Sequence, residues 1–156
     1  MHEYEHTQPG TFMRAMTGLW VVIFVVGSVV MLALGGQEVA GAVIPGIVML
    51  AVFTAIIVAL FHSLTVRISR SDIAISFGVG LIRKRFPIGD IRSVRIARNR
   101  WYNGWGIRKI RGGWLYNVSG FDAIEIQLKN ERKYRIGTDQ PKKLLAAVES
   151  ALAGPS

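Results

Sequence analysis

The chain contains no cysteine among its 156 residues. This excludes disulfides, thiolate nucleophiles and cysteine-based metal sites. Histidine is almost as scarce, with only His2, His6 and His62. His2 and His6 stand in a polar N-terminal stretch beside Glu3 and Glu5. That combination can hold a metal ion, but the simpler reading is a disordered tail. Charge is missing over one long stretch, because Glu38 is the only charged residue from position 17 to position 61. Acidic residues are also sparse beyond it. Eighteen of the 19 Lys and Arg fall from His62 onward with only seven of the ten Asp and Glu, so this part carries +11 within a chain of net +9. No nucleophile, general base and orienting residue stand together. The chain is therefore read as a non-enzyme, with no cofactor and no metal site.

The uncharged stretch holds two apolar runs, residues 17–34 and 39–61. A helix needs about 20 apolar residues to cross a bilayer core. Both runs reach that length, the first only just. They are rich in Val, Ile and Phe, but strands of ordinary length do not run so far. A helix in lipid also satisfies its backbone internally. The connector Gly35-Gly36-Gln37-Glu38 is short and implies a tight antiparallel hairpin. Pro45-Gly46 implies a kink, or the start of the straight helix, nearby. The hairpin loop lacks Lys and Arg, whereas Arg14 precedes the first run and Arg67, Arg70, Arg83, Lys84 and Arg85 follow the second. By the positive-inside rule the loop faces outside and both termini are cytoplasmic, as in a two-span inner-membrane protein. A signal peptide ending near Ala33-Leu34-Gly35 is the alternative, but the apolar core is too long for one. Ala51, Ala55 and Ala59 recur every four residues. Small residues at this spacing allow close helix packing, here expected against the first helix rather than another subunit.

After His62 the period becomes alternation. Leu64, Val66 and Ile68 alternate with polar residues, then Ile73, Ile75 and Phe77 after a turn at Ser71-Asp72. Residues 82–86, 91–97, 124–128 and 134–136 read the same way. These are half-buried antiparallel strands joined by short turns, six or seven in all. The end changes period again. Leu144, Leu145, Val148 and Leu152 recur at helical spacing, with Thr138 or Asp139 as cap, Pro141 in the first turn and Gly154-Pro155 as stop. The expected domains are a tail at 1–16, a hairpin at 17–62 and a cytoplasmic domain at 63–156.

The segment 98–120 is unusual. It holds three of the four tryptophans and five basic residues among glycines, and reads as tight turns flanked by interface-seeking rings. Its phrases Gly104-Trp105-Gly106-Ile107-Arg108 and Gly113-Trp114-Leu115-Tyr116-Asn117-Val118-Ser119-Gly120 carry a family likeness, as does the later Tyr134-Arg135-Ile136-Gly137-Thr138-Asp139. Together with the paired helices upstream, they resemble small bacterial membrane proteins with a pleckstrin-homology-like (PH-like) domain, over about residues 64–152. The resemblance implies an α+β fold: a transmembrane hairpin followed by an antiparallel β barrel or bent sheet, capped by a C-terminal helix. It implies no agreed activity. Eukaryotic relatives of that fold often bind phosphoinositides through basic residues of the first hairpin. This chain departs from the pattern, having only Arg67, Arg70 and Asp72 there.

Other short patterns carry little. Asn117-Val118-Ser119 is a glycosylation sequon without meaning at a cytoplasmic position. Gly78-Val79-Gly80 lacks the third glycine of a dinucleotide loop. Asp122 and Glu125 fall on opposite faces of a strand and form no carboxylate pair. The basic clusters are the best lead. Arg83, Lys84, Arg85, Arg98, Arg100, Arg108, Lys109 and Arg111, with Trp101 and Tyr102, are tethered next to a leaflet that carries anionic headgroups. The expected function is membrane-anchored scaffolding or sensing at the inner leaflet through this face. The alternative is a subunit that assembles through its helices and offers the domain to another protein. Arginines interleaved with aromatics also suit single-stranded nucleic acid, which membrane anchoring makes the weaker class. Positive-inside bias alone explains part of the basic excess.

Overall fold

The structure, a computed structural model, describes residues 4–154, apart from the side chains of residues 36–38, 40 and 42. The pair His2 and Glu3 therefore lies outside the described residues. The expected tail contains a strand. Residues Tyr4–Pro9 form β1, and Ser63–Ile68 form β2, its antiparallel partner, in a register that runs from Tyr4↔Ile68 to Pro9↔Ser63. His6 sits 2.5 Å from Asp139, and Glu5 2.9 Å from Arg67.

Between these two paired strands lies α1, Thr11–Phe61, in which the helical pattern never breaks. A straight helix of 51 residues is about 76 Å long at 1.5 Å per residue. Its ends nevertheless meet, since the Gly10 N–H donates to the His62 carbonyl at 2.7 Å. The helix therefore folds back as two apolar arms, Thr11–Gly35 and Val43–Phe61, each long and apolar enough to cross a membrane. The expected non-helical connector is absent, and the first arm starts six residues before the apolar run. At the bend, a Cβ on Gly35 would overlap the Val39 side chain, so only glycine fits there. Pro45 lies inside the helix, where its missing N–H removes one backbone hydrogen bond and favours a bend. Almost none of either arm is buried, 6% and 0% of the two apolar windows, so the hairpin is no soluble core.

The arms meet along Met13, Met16, Thr17, Trp20 and Phe24 on one side and Leu50, Phe53, Thr54 and Ile57 on the other. Ala51 and Ala55 are exposed instead. Larger side chains thus line the groove between the arms.

The remaining strands are β3 (Asp72–Phe77), β4 (Ile82–Pro87), β5 (Ile91–Arg98), β6 (Gly106–Ile110), β7 (Gly113–Asn117), β8 (Asp122–Leu128) and β9 (Lys133–Gly137). They form one sheet of order β1-β2-β3-β4 and another of order β5-β8-β9-β7-β6. All pairs are antiparallel except β7 with β9. The sheets do not close into a barrel, so the closed form of the expected architecture is corrected. Segment 98–120 contains the β6–β7 hairpin rather than turns alone.

The core lies between the sheets. Leu64, Val66 and Ile68 of β2 and Ile73, Ile75 and Phe77 of β3 face Ile124, Ile126 and Ile136. Four rings join the layers: Phe86 lies 4.8 Å from Tyr134 and 6.5 Å from Tyr116, and Phe77 lies 6.1 Å from Tyr116. Full burial of each large apolar side chain contributes about 1.5–3 kcal/mol. The C-terminal helix α2, Pro141–Ala153, covers the core with Leu144, Val148 and Ala151. Its N-cap is Gln140, not Thr138 or Asp139, and no side chain caps it. The Thr138 hydroxyl instead accepts from the Gln140 N–H at 3.0 Å.

Candidate membrane-contact surface

The point where α1 leaves the sheets organises the candidate residues. The β3–β4 turn is fixed there by two hydrogen bonds, Gly78 N–H to Ser63 O at 2.9 Å and Val79 N–H to Ala59 O at 3.1 Å. Gly78 has φ +50°, and a Cβ there would overlap the Ala59 carbonyl. Only glycine lets the turn lie against the helix. Ala59 precedes the exit residue His62 by three, so the turn reaches about 4.5 Å beyond the exit along the helix. Its tip exposes Val79 (62%) and Leu81 (76%).

The β7–β8 loop is tied to the same end. Gln8 Nε2 donates to the Ser119 carbonyl at 3.0 Å, and the hydroxyls of Thr11 and Ser119 lie 2.8 Å apart. The β5–β6 connection follows it. The Asn99 N–H donates to Phe121 O at 2.6 Å, and the Trp105 ring stacks on Phe12 with centroids 3.5 Å apart. Between these anchors a short 3-10 turn, Trp101–Asn103, exposes Trp101 (76%) and Tyr102 (61%). Val79, Leu81, Trp101, Tyr102 and Phe121, all exposed on loops tied to this end of the domain, are termed the collar.

The basic residues separate into groups. Arg83 stands two residues behind Leu81 and donates through Nε to Gly80 O. Arg98 and Arg100 flank Asn99, and Arg108 Nε donates to Trp105 O at 3.1 Å. These four lie beside the collar. Lys84 and Arg85 lie further along β4, an edge strand of the first sheet, where charge also discourages edge-to-edge pairing. Arg85 has Asp72 at 3.9 Å. Lys109 and Arg111 lie towards the far end of β6. The ten candidates are therefore not one patch.

Two hollows contain most of these cations. One, about 310 Å³, lies on the outer face of the first sheet, with Thr65, Ser76, Arg67, Arg83 and Arg85 around it. The other, about 750 Å³, lies on the outer face of the second sheet and takes in Arg98, Arg100, Tyr102, Arg108, Lys109 and Arg111 with Arg135. One of its lining residues, Arg135, belongs to an ionic triad that sequence reasoning missed. Glu125 is 4% exposed and accepts from Arg95 Nε at 3.0 Å and from Arg135 Nε at 2.7 Å. Burial pushes its carboxyl up, but the hydrogen bonds and charges of Arg135 and Arg95 outweigh burial and hold it below its ordinary value.

Sequence reasoning also missed the tip of the β3–β4 turn. Its signal was an apolar pair, Val79 and Leu81, in a glycine turn where polar residues are usual. Trp105 is half-buried, and Trp114 is 42% exposed. Comparison with protein families, with curated proteins and with solved structures finds no match for this chain.

Proposed function

We propose that the chain is a non-enzymatic, membrane-anchored module of PH-like type. In this reading its β domain rests on the anionic cytoplasmic face of the inner membrane and scaffolds or senses there. The observation that carries the reading is the collar. Exposed apolar side chains lie on loops tied to the end where two membrane-length helices leave the domain, with Arg83, Arg98, Arg100 and Arg108 beside them. Rings and aliphatic tips suit the bilayer interface, and cations suit the phosphates above it. At about 1 kcal/mol for each basic group near an anionic surface, four such groups supply about 4 kcal/mol at low salt.

The test uses the full chain reconstituted in vesicles that carry brominated lipids. Trp101 quenching is read as the difference between the parent chain and Trp101→Phe. Strong quenching is expected in anionic vesicles and weaker quenching in zwitterionic ones or at high salt. Leu81→Asp, and Arg98→Gln with Arg100→Gln, should reduce it. Quenching that ignores lipid charge and both variants would falsify the docking reading.

A second reading has one observation in its favour. Ala51 and Ala55 form a small-residue stripe that faces outward from the hairpin, where another transmembrane helix can approach closely. Ala51→Leu with Ala55→Leu then dissociates a native-membrane complex detected by crosslinking. A lipid-docking module does not respond to that change.

A further inference from the structure

The outer face of the second sheet is arranged by register. Arg95, Glu125, Arg135, Leu115 and Arg108 are successive cross-strand partners from β5 through β8, β9 and β7 to β6. Cross-strand partners share a face. Leu115 is fully buried yet is not part of the core between the sheets, so this face has cover of its own. The β5–β6 connection brings Arg98, Arg100 and Tyr102 to one side of the groove. Arg108 and Arg111 stand on the other side, and Arg135 lies on the floor.

Charge is left uncompensated here. Arg67, Arg92 and Arg95 each have a carboxylate partner. Among the described residues, Arg98, Arg100, Arg108 and Arg111 have none within 4.0 Å. Asp122 is the register partner of Arg98 but makes no ion pair with it, and Glu125 is already occupied by Arg95 and Arg135. The groove is also partly preorganised. Arg100 is held by the Tyr102 hydroxyl at 2.9 Å, Arg108 by Trp105 O at 3.1 Å and Arg135 by Glu125 at 2.7 Å. Each of these bonds uses one guanidinium nitrogen, so the other donors of each fork remain for a ligand. Forked donors fixed in advance match phosphate oxygens and lose little entropy on binding.

We infer that this groove binds an anion with two or more linked phosphate groups. The donors set the number. Arg98, Arg100, Arg108, Arg111 and Arg135 present more N–H groups than the four oxygens of one phosphate can accept from. A chain of phosphates spans them, and the opening of about 750 Å³ accommodates it. The phosphates can belong to a soluble polyphosphate or to a lipid with two phosphate groups. The site shares Tyr102, Arg98, Arg100 and Arg108 with the proposed membrane-contact surface but not Val79 and Leu81, so Leu81→Asp separates the two readings.

The experiment is calorimetric titration of the full chain in phosphatidylcholine discs with inorganic tripolyphosphate and with orthophosphate. Tripolyphosphate is expected to bind at least tenfold more tightly. Arg108→Gln with Arg111→Gln, both at exposed positions, should weaken it at least tenfold. Arg100→Gln serves as an independent variant. Arg92→Gln, at the far end of β5, and Leu81→Asp, in the collar, should leave binding unchanged. Discs containing cardiolipin identify the source. Weaker tripolyphosphate binding there means that the lipid occupies the groove, and unchanged binding means that the ligand is soluble. No tripolyphosphate binding in phosphatidylcholine discs, or binding insensitive to the groove variants, overturns the inference.

Discussion

Gly78→Ala is the sharpest probe of how the β domain is joined to the membrane helices. At φ +50° an alanine carries a backbone cost of about 1–2 kcal/mol. Its Cβ would also overlap Ala59 O and lie 2.7 Å from Leu60 O, both backbone atoms that cannot rotate away. The turn must then lift from α1 and give up its bonds to Ser63 and Ala59, each worth about 1 kcal/mol net. The expected total loss is about 3–4 kcal/mol. Gly80→Ala is the internal control. Gly80 also has positive φ, +84°, but its nearest neighbour is the flexible Arg83 guanidinium at 3.2 Å, so only the backbone cost of about 1–2 kcal/mol applies. The two variants should therefore differ by about 2 kcal/mol. In urea, followed by tryptophan fluorescence of the full chain in zwitterionic micelles, that is a midpoint difference of about 1 M. Equal midpoints for the two variants would refute the claim that this turn is held against the helix.

The Glu125 triad gives a second expectation. Glu125→Gln removes the charge that Arg95 and Arg135 share, and should cost about 2 kcal/mol, since Arg95 remains largely solvated. The Glu125 carboxyl lies below its ordinary 4.5 in the folded state, so its contribution is complete above that value and is lost as pH falls through the lower folded one. The stability gap between parent and variant should close in acid, and a gap that stays constant from neutral pH to strong acid contradicts the assignment. Trp105→Ala should cost about 3 kcal/mol in thermal unfolding through loss of the stack on Phe12 and the contact with Phe121. Trp105→Phe should recover all but about 1 kcal/mol, because the indole Nε1 has no hydrogen-bond partner to lose.

Which elements could be read from sequence follows from how each is covered. β2 and β3 alternate cleanly because one face meets the core and the other meets solvent, so Leu64, Val66, Ile68, Ile73, Ile75 and Phe77 gave themselves away. β8 also alternates in sequence, with Ile124, Ile126 and Leu128 against Glu125 and Gln127, although Ala123 and Glu125 are buried as well. Leu115 and Tyr116 of β7 are adjacent and both buried, and the β6–β7 hairpin left no alternating trace. β1 is polar throughout. It is an edge strand whose pairing rests on contacts such as Thr7 with Thr65 and Glu5 with Arg67, invisible until its partner is known. The basic residues of the candidate site were legible one by one. Their division into collar and groove was not, because it depends on register across strands far apart in sequence.

Placing the hairpin between two hydrogen-bonded strands has a consequence for biogenesis. β1 leaves the ribosome before either arm and must wait for β2, which follows both. If only one arm crossed the bilayer, β1 and β2 would lie on opposite sides and the first sheet would lack its edge strand. In the membrane-anchored reading, formation of that strand pair therefore excludes a single crossing, since the two strands share one side only when the arms insert together.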